Sequence, residues 1–219
     1  MADYDMQVVA PFSPLILKAT APDAVVTQLN DRIDAIIAET AERERRDWSA
    51  HLAGNLSTEV RLTDIIRDMP EMTDFLYDVA RTYTYRCENV LLNYGGYDDT
   101  AELKDKKLEI QIKEGWANDM VAGDFNPVHY HQGCLYSCVL FLRIPEGFEA
   151  EFQSGKDRQN SVGCLQFIDS RTVVGARNLF VVKPIVGAFY LWPSWMLHCV
   201  YPFRSQGVRR SLSVNLALA

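Results

Sequence analysis

Two rhythms of apolar and polar positions divide this chain. From Pro22 to about Arg46, Val25, Val26, Leu29, Ile33, Ile36 and Ile37 recur at three- and four-residue spacing. That period predicts a helix with one apolar stripe, and Pro22 and Asp23 suit its first turn. A second helix is predicted from about Pro70 to Leu92, with Phe75, Val79, Tyr83 and Val90 on its buried side. "SAHLAGNLST" between them reads as a polar loop, and "NYGGYDD", Asn93 to Asp99, as a turn cluster that ends the helical half. After Lys106 the period becomes two. "KLEIQIKEGW" sets Leu108, Ile110 and Ile112 against charged partners, and "CLYSCVLFLRIP" is a longer apolar run. "GFEAEFQS", "GCLQFIDSR", "NLFVVKP", "GAFYLWPSW", "LHCVYPF" and "RRSLSVNLALA" follow, separated by Gly, Pro and polar turns. These are about eight strands with no helix between them, which predicts a sandwich or barrel rather than βαβ units. The fold class expected is therefore α+β and mostly β. Helices over about 1–100 pack on a β core over about 104–219, within one domain of 1–219.

Composition narrows the function. With 219 residues, 48% hydrophobic and 23% charged, the chain can bury a core without disulfides or structural metals. Its net charge of −7 argues against nucleic acid, since phosphate binding needs clustered Lys and Arg. The run "AERERRD" alternates in sign and reads as a solvated helix face. No apolar run reaches the roughly 18 residues of a membrane span, and the acidic N-terminus does not read as a secretory signal. Five cysteines without a CxxC pair read as buried, reduced thiols, so a cytoplasmic setting is expected.

The chemistry centres on histidine. Of four in the chain, His129 and His131 stand two residues apart in "NPVHYHQGCLYSCVLFLRIP". On a strand, residues i and i+2 face one way, so both imidazoles would present to one side, as metal ligands do. A bare HxH pair is equally at home on a solvated loop. His198, in "LWPSWMLHCVYPF", is in apolar company, where a histidine alone is most often a satisfied core residue. Three histidines at strand ends of one β half can, however, converge on one end of a barrel. His51 lies in the early polar loop and receives no role. On the last strand Arg209, Ser211, Ser213 and Asn215 alternate with Arg210, Leu212, Val214 and Leu216. The polar face could be the solvent side. If it faces inward, it supplies a guanidinium, hydroxyls and an amide to a pocket, and Arg209 could clamp a carboxylate.

Together "GDFNPVHYH", "LYSCVLFLRIP", "GCLQFIDSR", "GAFYLWPSWMLHCVYPF" and "GVRRSLSVNLAL" resemble the 2-oxoglutarate/iron(II)-dependent oxygenases of bacteria and phages, from about Trp116 to Leu218. The resemblance implies a double-stranded β-helix, or jelly-roll, with Fe(II) and 2-oxoglutarate as cofactors. It implies His129 and His198 as iron ligands. His131 stands where the wider superfamily places Asp or Glu, which implies three histidines; Asp124 is the alternative carboxylate. Arg209 would pair with the distal carboxylate of 2-oxoglutarate, assisted by Ser211. This chain departs from the pattern at Cys138, where the family has Gly, and at Ser170, where it has Pro. At Phe141 the family has a Tyr, and the resemblance implies that its hydroxyl reaches the cosubstrate, so that hydrogen bond is missing here or comes from elsewhere. Tyr136 has the wrong parity to replace it. Trp116, Trp192 and Trp195 are candidate walls. The activity implied is hydroxylase-type C–H oxidation of a small molecule or a peptide, with no nucleic-acid or membrane partner and with a homodimer left open. Alternatives are a cupin-like three-histidine dioxygenase without 2-oxoglutarate and a non-catalytic jelly-roll binding module. A zinc hydrolase lacks its HExxH segment.

Overall fold

The computed structural model describes residues 6–9, 15–52, 54–93, 109–154, 161–171 and 178–218. Most of "NYGGYDD", and the start of the strand at Lys107 and Leu108, lie outside them. The described elements run β1 (Met6–Val9), β2 (Ile16–Thr20), α1 (Asp23–Ala38), α2 (Thr40–Arg45), a 3-10 turn (Ser49–His51), β3 (Thr58–Arg61), α3 (Thr63–Arg67) and α4 (Pro70–Asn93). Then come β4 (Ile110–Met120), β5 (Asn126–His129), β6 (Tyr136–Arg143), α5 (Phe148–Ser154), β7 (Leu165–Ile168), β8 (Leu179–Val182), β9 (Ala188–Pro193), β10 (Leu197–Val200) and β11 (Arg209–Leu218).

The strands form two antiparallel sheets. One is seven-stranded in the order β1-β2-β9-β6-β11-β4-β3; the other is four-stranded in the order β5-β10-β7-β8. One face of the large sheet carries the helices. Val25, Leu29 and Ile33 of α1 and Phe75, Val79 and Tyr83 of α4 are buried in one cluster with Leu140, Leu191, Leu212 and Val214 of the sheet. The alternation of apolar residues within each strand makes this cluster, and the helical stripes complete it. The other face of the large sheet looks toward the small one, across Val139, Phe141, Tyr190 and Trp192 on one side and Leu165 and Phe167 on the other. The functional side chains lie in this second layer.

Three local expectations need correction. The first helix does not run unbroken to Arg46. It ends at Ala38, and Glu39 takes an extended conformation (φ −99°, ψ 108°). The apolar stripe stops at Ile37, and no residue of α2 is buried. Ion pairs hold that segment instead: Arg46 Nη1 and Nη2 donate to the Asp64 carboxylate at 2.7 and 2.8 Å. "GFEAEFQS" is a helix, not a strand. Phe148 and Phe152 are two strand periods apart but also one helical turn apart, and their rings stack at 6.1 Å. Glu, Ala and Gln between them favour the helix. Finally, the N-terminal half is not purely helical. "ILKAT" and "TEVR" each add a strand to the large sheet, β2 beside β9 and β3 beside β4.

Candidate metal and cosubstrate site

β5 and β10 pair so that His129 and His198 stand directly opposite each other. The register slips just beyond, between His198 and Val200, a bulge of the kind that re-aims a side chain. β5 is an edge strand, which is why Pro127 is tolerated inside it. His131 lies past the end of β5, so its position is not set by strand alternation. Its backbone N–H instead donates to Ser194 O at 2.9 Å, which ties it to the turn leading into β10.

The three imidazoles converge. Their ligand nitrogens all lie within 4.8 Å of one another. His131 Nε2 and His198 Nε2 are 3.3 Å apart, less than the sum of two metal–nitrogen bonds of about 2.1 Å. His129 Nδ1–H donates to Pro127 O at 2.7 Å, and His198 Nδ1–H donates to Met196 O at 2.9 Å. Each of these bonds fixes the tautomer and leaves the Nε2 lone pair for a cation. Burial lowers the pKa of all three. His131 falls to about 4, through burial and then the neighbouring His129, and His198 falls well below its ordinary value. The imidazoles therefore stay neutral, as metal ligands must.

Asp124 is not part of this group. Its Oδ2 accepts the backbone N–H groups of Ser57 at 2.8 Å and Val121 at 3.0 Å, so the carboxylate closes the turn between β4 and β5.

The cluster opens into a cavity of about 170 Å³ between the two sheets. Arg209, Ser211, Ser213 and Asn215 all line it, so the polar parity of β11 faces inward. The other parity, Leu212, Val214 and Leu216, packs under the helices. Arg210 shares that second face. There it is buried and paired, with Nε and Nη2 donating to Asp119 at 2.6 and 2.7 Å and Nη1 to Asp34 at 2.7 Å.

Arg209 differs sharply. It is 1% exposed, and no carboxylate of the described residues forms an ion pair with it. Its Nε has no hydrogen-bond partner, and Nη1 donates only to Met120 Sδ at 3.2 Å. The Phe141 ring backs the guanidinium at 5.0 Å. Burial without a counter-charge pushes its pKa down to about 10. A buried, unpaired guanidinium in a cavity is a receptor for an anion. Among the described residues lining the cavity, Arg209 is also the only one, apart from the histidines, that is a base or a carboxylic acid.

Trp116 and Trp192 form walls, with Trp192 edge-on to His198 at 5.0 Å. Trp195 does not; it is 60% exposed on the turn before β10. Tyr136 faces the helices, where its hydroxyl lies 2.9 Å from Thr84 Oγ1, as its parity requires. His51, given no role from sequence, reaches the cavity mouth beside Leu52 and Leu56 and stacks on Trp48 at 3.9 Å. Asn118 on β4 also lines the cavity. Neither carries a motif in the sequence; only the sheet register brings Asn118 inward.

Residues 114–215 match the family model described as "Putative 2OG-Fe(II) oxygenase". This segment, a little under half of the chain, is thus similar to the 2OG-Fe(II) oxygenases. Members use Fe(II) and 2-oxoglutarate, and the three histidines and Arg209 fit those two groups. Similar solved structures share the fold. A prolyl-4-hydroxylase from Pseudomonas putida is 17% identical, with a TM-score of 0.51 over 98% of this chain and 92% of that one. AviO1 from Streptomyces viridochromogenes Tue57 is 14% identical, with a TM-score of 0.50 over 92% and 89%. SnoK, an alpha ketoglutarate dependent carbocyclase from nogalamycin biosynthesis, is 13% identical, with a TM-score of 0.52 over 92% and 78%. These likenesses extend well beyond the matched segment, so the N-terminal helices of this chain belong to the shared fold. No curated protein matches the chain. Among the described residues, no helix is long and apolar enough to cross a membrane.

Proposed function

We propose that this chain is an oxygenase that hydroxylates a C–H bond of a peptide or small-molecule substrate, with the two facing sheets serving as a jelly-roll. In this reading His129, His131 and His198 hold the iron. Arg209 binds the distal carboxylate of 2-oxoglutarate, with Ser211 beside it. The observation that carries the reading is the buried Arg209, which has no counter-ion among the described residues, in the same cavity as three neutral imidazoles. When bound, iron(II) and 2-oxoglutarate together reduce dioxygen, with loss of carbon dioxide and formation of succinate.

The chain's own residues do the rest. The Nδ1–H bonds to Pro127 and Met196 keep two imidazoles oriented before any metal arrives. Arg209 fixes the far end of the cosubstrate and so its direction in the cavity. The Trp116, Trp192 and Phe167 side chains keep the site dry. The reading also takes 1–219 as one domain in the cytoplasm, supported by five cysteines of which none is in a disulfide.

The deciding experiment is anaerobic reconstitution with Fe(II), followed by titration with 2-oxoglutarate under visible spectroscopy. A weak charge-transfer band should grow with saturation and be lost in Arg209→Ala. Oxygen consumption should depend on 2-oxoglutarate. Consumption without it would instead favour a three-histidine dioxygenase that oxidises its substrate directly.

A further inference from the structure

The cavity holds an unexplained amide. Of the six buried side-chain polar atoms without a partner among the described residues, four belong to residues that line this one cavity: Arg209 Nε, Asn118 Oδ1, Asn126 Oδ1 and Trp192 Nε1. Arg209 is explained by an anion. Asn118 is the next closest to it by register. Across the large sheet, Phe141 of β6, Ser211 of β11 and Asn118 of β4 stand in one row, each opposite the next. Arg209 pairs with Met120 one step farther along the inward face. Adjacent strands are about 4.8 Å apart, so this row spans the cavity floor beside the guanidinium.

Phe141 lines the cavity beside the guanidinium and ends in a C–H, so it offers an anion no donor. Asn118 stands on the far side of Ser211 in the same row, and the buried Glu59 of β3 follows opposite it. It is 6% exposed, its Nδ2 donates to Ser213 Oγ at 3.0 Å, and its Oδ1 accepts nothing. Ser213 Oγ can donate as well as accept. Turning the amide by 180° therefore keeps that bond, with Oδ1 as acceptor, and frees an N–H for the cavity.

We infer that Asn118 is a cosubstrate-binding residue, whose amide N–H donates to the distal carboxylate of 2-oxoglutarate in place of the hydroxyl that Phe141 lacks. Arg209 supplies the charge, and Asn118 with Ser211 supplies the neutral donors on the carboxylate's other side. A carboxylate so bound is oriented as well as attracted, which a guanidinium backed by an aromatic face alone does less well. This assignment rests on the reading of Arg209 given above.

The test is the dissociation constant of 2-oxoglutarate for the full chain loaded with Mn(II), measured by calorimetry without turnover. Asn118→Ala should weaken binding by about tenfold to a hundredfold, the effect of one hydrogen bond to a charged group. Asn118→Asp keeps the size of the side chain but sets a carboxylate against a carboxylate, and should weaken it further. Adding Phe141→Tyr to Asn118→Ala should recover most of the loss, because the row then regains a donor on the other side of Ser211. Mn(II) affinity should stay unchanged throughout. Wild-type affinity in both Asn118 variants, or a loss that Phe141→Tyr does not recover, overturns the assignment. If Arg209→Ala also binds 2-oxoglutarate normally, the reading of the whole cosubstrate site fails; if only the Asn118 variants do, that reading stands and Asn118 alone is misassigned.

Discussion

Arg209→Met separates function from stability, because the two should move in opposite directions. The guanidinium is 1% exposed and has no counter-ion among the described residues. Burial lowers its pKa by more than two to about 10. That difference corresponds to about 3 kcal/mol of unfavourable free energy for the charged form. The folded-state value lies below the unfolded one. The penalty is therefore fully present at neutral pH and is relieved only as pH rises through about 10 and beyond. Methionine fills a similar volume without a charge. It forfeits the contact with the Phe141 face, a loss of about 0.5–2 kcal/mol. The metal-free variant should be more stable than wild type by about 2 kcal/mol, or about 4–8 °C in Tm for a chain of this size. The assay is calorimetric unfolding with and without 2-oxoglutarate in the presence of Mn(II). Wild type should gain about 2.7 kcal/mol at a hundredfold excess over Kd, and the variant nothing. A variant that is less stable than wild type, or that keeps the ligand-induced shift, would refute the claim that Arg209 is held unpaired for an anion.

Other expectations follow from particular groups. His129→Ala and His198→Ala should each abolish stoichiometric Fe(II) binding, read by anaerobic equilibrium dialysis, while Asp124→Asn should retain it. Glu59 is 4% exposed, and burial, together with Asp47 and Asp124 nearby, raises its pKa to about 7. Its folded value exceeds its unfolded one, so its stabilising contribution is complete below about pH 4.5 and lost as pH rises through about 7. Urea midpoints across that range should fall by more in wild type than in Glu59→Gln, with a difference of at most about 3 kcal/mol. Arg210→Ala strands Asp119, which is 7% exposed, and should cost about 3–5 kcal/mol in denaturant unfolding.

The two neighbouring arginines show what a sequence can say about such a site and where it stops. Alternation along β11 by itself assigns Arg209 and Arg210 to opposite faces, and the fold keeps them there. Alternation cannot say which face is inside. Both arginines are buried, and what distinguishes them is the company supplied by other strands and helices: Asp119 and Asp34 for one, the cavity for the other. The histidines follow the same rule. Spacing identifies a candidate pair, but His131 reaches the cluster through a backbone bond to Ser194, about sixty residues later in the chain, which no local period encodes. Asp124 looks like a ligand in sequence because carboxylates bind metals, yet two backbone N–H groups at a turn claim it first. "GFEAEFQS" satisfies both periods at once, so its outcome depends on the packing of Phe148 and Phe152. Asn118 becomes legible only through the register of three strands. Motif residues are thus those whose chemistry is local, while the residues that tune the site are set by cross-strand register, where a one-residue slip would exchange every inward side chain for an outward one.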